Sequence, residues 1–244
     1  NIRVGSDEYA KANESYGLTT LKSMHVKRVK GETAEGRHDA VFTFTGKSDK
    51  DWEITIEDDH LVDLILRTNR LGVKDADLFM YISESGNEVD LKAEHINQYI
   101  RATSGEGFTA KNFRTWGATY RCAERLAFLA QPQVEKDMKR WLRKLPDVES
   151  IEKLWTEGDW EVPTSETGLN KAMLAVIDTV AADLGNTRMV CRSSYIHPWF
   201  LDAWMDERLL EVWNEVADLR RISGLSAGES ATLRVLKNLR NNTI

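Results

Sequence analysis

Two cysteines in 244 residues leave this chain little to cross-link. Cys122 and Cys191 lie far apart, and neither has a second Cys or His at ligand spacing, which argues against a disulfide framework or a zinc site and fits a reducing compartment. The five histidines (25, 38, 60, 95 and 197) form no pair at metal spacing either. No apolar run approaches the length of a bilayer span, and no secretory hydrophobic segment opens the chain. Internal repeats and low-complexity tracts are missing. The string GKSDK lacks the rest of the G-x-x-x-x-G-K-[ST] phosphate loop, so no nucleotide site is supported. Positive charge is also in deficit: 33 basic against 39 acidic residues give a net charge of −6, which as a total counts against a nucleic-acid partner.

The distribution of charge reverses that last point. Residues 1–56 are balanced at nine basic and nine acidic groups, and 57–100 carry four against ten. Residues 101–144 carry ten against four, 145–185 two against nine, and 186–244 eight against seven. A basic stretch around Arg114 thus lies between two acidic ones. The local patch sets contact with a phosphate backbone, so such a field can hold one. Charge alone supports a solvated basic helix face equally well.

At 41% hydrophobic residues the chain can bury a sizeable core, as one large domain or two small ones. Alternating apolar and β-branched residues over 21–29, 40–44 and 52–56 predict a three-stranded antiparallel meander, with Lys47 in the turn between the second and third strands. Helical spacing takes over from residue 59. It covers 60–71 (Leu61, Leu64, Ile65, Leu71), 92–103 (Ile96, Tyr99, Ile100, with a stop at Gly105), 109–130 after a Thr109 cap, and the basic amphipathic 132–145. Residues 145–168 mix Pro, Gly and acids and read as an irregular linker or lid. Helical patterns resume over 169–184, 206–222 and 226–239, the last opening with Ser226 and Glu229 at capping-box spacing. The expected fold is α+β: a β-rich segment over 1–58, packed as part of a mainly helical domain that runs over 59–244.

Four residues in order carry a chemistry that no one of them would carry alone. Arg3 sits in IRVG, Lys47 in FTGK, Arg114 in KNFRTW, and Tyr195 in LGNTRMVCRSSY. Attack on a phosphodiester needs cations for the nonbridging oxygens, a nucleophile, and a proton for the departing oxygen. The planar arginine fork meets phosphate oxygens bidentately and stays charged at any working pH. A phenol titrates at about 10, so a nucleophilic tyrosine needs cations beside it. Lysine on a hairpin tip suits proton delivery. Taken singly, each arginine reads as a surface salt bridge, the tyrosine as an amphipathic core residue and the lysine as an exposed turn.

Together the strings resemble the type IB DNA topoisomerases, in their poxvirus-like and bacterial branch, over nearly the whole chain. IRVGSDEYAKANESYGLTTL resembles the segment of the first catalytic arginine, which implies Arg3 in that role and Tyr9 at a DNA contact. FTFTGKSDKDWEITI resembles the hairpin of the general-acid lysine, here Lys47, and FTAKNFRTWGAT resembles the bacterial second-arginine motif, here Arg114. Lys111 matches a lysine that helps expel the leaving oxygen and contacts DNA. LGNTRMVCRSSYIHP implies Asn186 as a hydrogen-bond donor to phosphate and Tyr195 as the nucleophile, with Arg188 and Arg192 as further DNA contacts.

The resemblance implies relaxation of supercoiled double-stranded DNA through a 3′-phosphotyrosyl intermediate. It implies no ATP, metal, nucleotide or other cofactor, and a monomeric, cytoplasmic, nucleoid-associated protein with no membrane contact. Three departures stand out: Asn186 replaces the poxvirus histidine, Arg188 replaces a frequent proline, and the family's small N-terminal β domain, a DNA clamp, has no counterpart. An opening Asn, with Arg3 so close behind it, reads as a trimmed or processed chain. A tyrosine recombinase shares fold and mechanism but usually carries His where Lys111 stands, which favours the topoisomerase. A non-catalytic DNA-binding module is the third reading.

Overall fold

Alternation along residues 38–56 builds the first layer. In the computed structural model, which describes residues 2–30, 38–47, 49–68 and 75–241, strands β1 (Val26–Lys30), β2 (His38–Gly46) and β3 (Lys50–Ile56) form an antiparallel sheet in the order β1-β2-β3. Register pairs Ala40 with Ile56, Phe42 with Ile54 and Phe44 with Trp52, so each inward apolar side chain of β2 meets an apolar partner. The Phe44 and Trp52 rings stack 6.4 Å apart. One face therefore collects the apolar side chains, while Asp51, Glu53 and Thr55 on the other face stay exposed.

Helix α1 (Asp7–Asn13) precedes this sheet, and α2 (Asp59–Thr68) follows it, then a hairpin of β4 (Met80–Ile82) and β5 (Glu88–Asp90), then α3 (Ala93–Ser104). Leu21, Val26, Val62 and Leu78 close over the phenylalanine face. Each large apolar side chain buried there is worth roughly 1.5–3 kcal/mol. The surface ion pair Lys92–Asp7 (2.6 Å), which ties α3's first turn to α1, adds at most about 1 kcal/mol. Burial, not charge, holds this unit together.

The chain divides into two compact units, residues 2–110 and 111–244. The change of pattern expected after residue 58 is thus a change of secondary structure inside the first unit, because α2 packs on the sheet through Val62. Several expectations differ in detail. Residues 21–25 are not strand: the 3-10 turn Ser23–His25 occupies most of this stretch, just after another at Leu18–Thr20, and His25 Nδ1 accepts the Lys22 N–H (3.0 Å). In α2 Val62 is buried and Ile65 packs beside it as expected, while Leu61 and Leu64 face solvent. Tyr99 of α3 is 71% exposed, although its spacing with Ile96 and Ile100 suggested an inward stripe. Leu71 and most of the separator before β2 lie outside the described residues.

The second unit is helical. Helix α4 (Ala110–Leu129) starts just after Thr109, as expected. It is followed by α5 (Glu135–Leu142), the short α6 (Glu149–Glu152) and the long apolar α7 (Glu166–Leu184). Then come α8 (Arg188–Ser194), α9 (Pro198–Met205), α10 (Leu209–Ala217) and α11 (Ala227–Arg240). The capping box at Ser226 and Glu229 forms in full.

Residues 145–168 are packed down rather than loose. Ile151, Trp155 and Trp160 join the core, Trp160 Nε1 donates to the Leu129 carbonyl (2.9 Å), and its backbone pairs with Gln133. The core itself centres on α4 and α7, where Ala118, Cys122, Leu126, Val176 and Val180 are fully buried. Among the described residues no helix is long and apolar enough to cross a membrane, and no cluster of acidic, His or Cys side chains could hold a metal ion.

Candidate active site

Arg114 lies on the buried face of α4 and is 7% exposed. Its Nη2 donates to the Leu184 carbonyl (2.7 Å), the last residue of α7. The final carbonyls of a helix have no partner within it and carry the negative end of its dipole, so a guanidinium there is doubly favoured. Held this way, its Cζ stands 5.4 Å from the centroid of the Tyr195 ring. The sequence placed these two residues in one site, and the fold brings them together.

Asn186 follows two residues after the carbonyl that holds Arg114. It is buried, and its N–H bonds to the Ala181 carbonyl (2.8 Å). Thr187 then caps α8 through its hydroxyl. Tyr195 ends α8 with non-helical dihedrals (φ −130°, ψ −29°) and a half-buried side chain. A second tie reaches it from α4: Thr119 Oγ1 donates to the Tyr195 carbonyl (3.0 Å) and accepts the His197 N–H (3.2 Å). Thr119 went unremarked in the sequence. Its only trace there is a polar residue on the apolar face of a helix that carries a candidate arginine.

Two further pairs tighten this unit. Arg125 Nη2 meets Asp183 Oδ2 at 2.6 Å and Nη1 donates to Thr179 (2.9 Å), joining α4 to α7. Burial raises the thiols of Cys122 and Cys191, the latter to about 12 although Arg114 pulls it down. Both are free, buried and chemically quiet.

The remaining candidates of this unit are exposed. Lys111 projects from the first turn of α4. Arg188 forks onto Asp178 through Nε (2.5 Å) and Nη2, and Asp178 also accepts from Ser150 (2.7 Å). Burial would raise the Asp178 carboxyl, but the hydrogen bonds from Arg188 and Ser150 outweigh it and hold the acid below its usual range. Arg192 is exposed and lines an open groove of about 840 Å³ with Asp178, Met189, Ile196 and Asp202.

Arg3, Tyr9 and Lys47 belong to the other unit. The segments around Arg3 and Gly17 run back to back: Leu18 N–H bonds to the Arg3 carbonyl (2.8 Å) and Thr19 N–H to Val4 (2.7 Å). A Cβ on Gly17 would lie 2.6 Å from Gly5 Cα and 2.8 Å from the Arg3 carbonyl, so only glycine allows this approach. One residue before Gly17, Tyr16 N–H bonds to Thr45 at the end of β2 (2.8 Å), which registers the Arg3 segment on the hairpin that carries Lys47. Lys47 occupies the expected turn between the Gly46–Lys50 pair and the left-handed Asp49 (φ 54°). Its Nζ lies 5.3 Å from the Tyr9 ring, which is 38% exposed on α1. A cation over an aromatic face is attracted by about 0.5–1 kcal/mol at such an exposed place.

Two comparisons bear on this arrangement. The model of a family described as eukaryotic DNA topoisomerase I, catalytic core, matches residues 1–208. A viral protein, DNA topoisomerase 1B of Acanthamoeba polyphaga mimivirus, is 34% identical over 143 residues, which cover 57% of this chain and 40% of the viral protein. The chain thus matches about two fifths of that relative's length. The relative is viral, so the bacterial origin suggested by the second-arginine string gains no support from it.

Proposed function

The chain belongs to the eukaryotic DNA topoisomerase I catalytic-core family, and we propose that it relaxes supercoiled double-stranded DNA as a monomeric type IB enzyme. The observation that carries this reading is the Arg114 guanidinium 5.4 Å from the Tyr195 ring, both fixed from α4. The guanidinium beside the attacking phenol can receive charge building on a phosphoryl oxygen.

In the proposed reaction Tyr195 Oη bonds to phosphorus as the bond to the 5′ oxygen breaks. The phenolic proton leaves to solvent, and Lys47 supplies a proton to the 5′ oxygen. Arg3 and Arg114 hold the nonbridging oxygens, and the Asn186 amide donates to one of them. Lys111 assists departure of the 5′ oxygen, while Tyr9, Arg188 and Arg192 contact the duplex. The broken strand, held as a 3′-phosphotyrosyl ester, rotates and is resealed by the reverse steps. Because the ester conserves the energy of the cleaved bond, resealing draws on no ATP.

Plasmid relaxation in EDTA without ATP tests this reading, with an SDS quench to trap covalent DNA. Relaxed topoisomers and a trapped adduct, both absent in Tyr195→Phe, are expected. An adduct without relaxation would point to a strand-transferring recombinase instead, and the absence of both products would overturn the proposal.

A further inference from the structure

We propose that Thr119 is a positioning residue that sets where the Tyr195 phenol stands relative to Arg114. The inference rests on the reading of Tyr195 as the nucleophile and extends it to a residue outside the motifs. Helix α8 stops at Tyr195, which leaves the Tyr195 carbonyl and the His197 N–H without helical partners, with buried Ile196 between them. The Thr119 hydroxyl takes both, donating to the carbonyl at 3.0 Å and accepting the N–H at 3.2 Å. A hydroxyl is the smallest group that can do both at once. The side chain is 3% exposed, so water has no ready access to replace it.

The geometric consequence follows from α4. Thr119 and Arg114 share one 20-residue helix, five positions apart, about 7.5 Å along its axis at 1.5 Å per residue. One rigid rod therefore grips the nucleophile twice, at its main chain through Thr119 and at its ring through Arg114. Without the hydroxyl, the break between α8 and α9 gains freedom while Arg114 stays bonded to Leu184. Phenol and guanidinium then lose their fixed separation. Errors of that kind are costly, since a displacement of about 1 Å can slow a reaction by about 10²-fold.

The test uses the full 244-residue chain and a duplex bearing a cleavage site first mapped with the wild-type protein. Thr119→Val keeps the shape but loses donor and acceptor, and Thr119→Ser restores both. Single-turnover cleavage and resealing by Thr119→Val should each fall by about 10²-fold, with noncovalent duplex affinity near wild type and a lowered melting temperature, because the Tyr195 carbonyl and the His197 N–H lose their partner. Thr119→Ser should recover close to the wild-type rate. A 5′-bridging phosphorothiolate, whose thiolate leaves without a proton, should rescue Lys47→Ala but not Thr119→Val.

Fast cleavage by Thr119→Val, rescue of it by the phosphorothiolate, or a slow Thr119→Ser would each overturn the inference. Should Thr119→Val fail to fold, the contrast between Thr119→Ser and Thr119→Ala decides on the same rates. Failure of the wild-type chain to form an adduct would instead overturn the reading of Tyr195 itself.

Discussion

In the unit spanning 111–244 the candidate side chains are held from several directions: Arg114 by the end of α7, Tyr195 by Thr119 and Arg114, and α4 to α7 by Arg125 and Asp183. In the unit spanning 2–110 backbone contacts set the position of the candidate segments. Glycine contacts and strand pairing place Arg3 and Lys47, while the Lys47 ammonium stands at a hairpin tip with one aromatic ring for company. The difference suits two tasks. Charge stabilisation and nucleophilic attack gain from fixed groups in a dry setting, where reorganisation is small. A proton donor must recover its proton between turnovers, so it gains from water and mobility.

The largest effects should come from opposing the two halves directly. Lys47→Ala and Arg114→Ala should each slow single-turnover cleavage, by about 10²–10⁴-fold for a lost general acid and about 10²–10³-fold for a lost oxyanion donor. Only Arg114→Ala should also lower the melting temperature, because it strips a donor from the buried Leu184 carbonyl. Equal melting temperatures for the two variants would break the comparison.

Next in size is Asp183→Ala. It leaves Arg125 buried without its carboxylate, and a change of this type is worth about 3 kcal/mol of stability, read by denaturant titration. Loss of stability with an unchanged phosphorothiolate-to-phosphate cleavage ratio, which reads the Lys47 proton transfer, would confine the effect to the helical unit.

Acid should separate the units in the other direction. Burial, and then the nearby Lys22 cation, push His25 below the ordinary histidine value, and its Nδ1 accepts an N–H that a protonated ring would repel. Partial burial also lowers His197, whose ring accepts no such bond among those described. The unfolded chain takes up these protons first, at about pH 6.5. The stability contributed by neutral histidine is therefore present above that pH and is lost as pH falls through it toward the folded value. Hydrogen exchange should show residues 2–110 losing protection before 111–244 on acidification, and His25→Phe should shrink the gap. The smallest effect is Ser226→Ala, about 1 kcal/mol through the α11 cap, with cleavage unchanged.

What could be read without coordinates follows the range of the interactions. The meander, Lys47 in its turn and the Ser226 cap all depend on neighbours in sequence, and all appear as expected. Residues 21–25 do not, because Leu21 accepts from Leu78 and Lys22 bridges to Asp77, partners more than fifty positions away. Helices α8 and α9 are too short to show a clear period, and only Thr187 as a cap and Pro198 in the first turn announce them. Strings of known type pointed to Arg114 and Tyr195, but nothing local pointed to Thr119, whose role exists only where α8 stops against α4.

The most direct measurement is the mass of the peptide left on DNA after an SDS quench and protease digestion, at a cleavage site mapped for the wild-type chain. The expected peptide contains Tyr195 esterified to a 3′ phosphate, and it disappears in Tyr195→Phe while duplex binding persists. A DNA link at any other residue, or to a 5′ phosphate, would contradict the account at its centre.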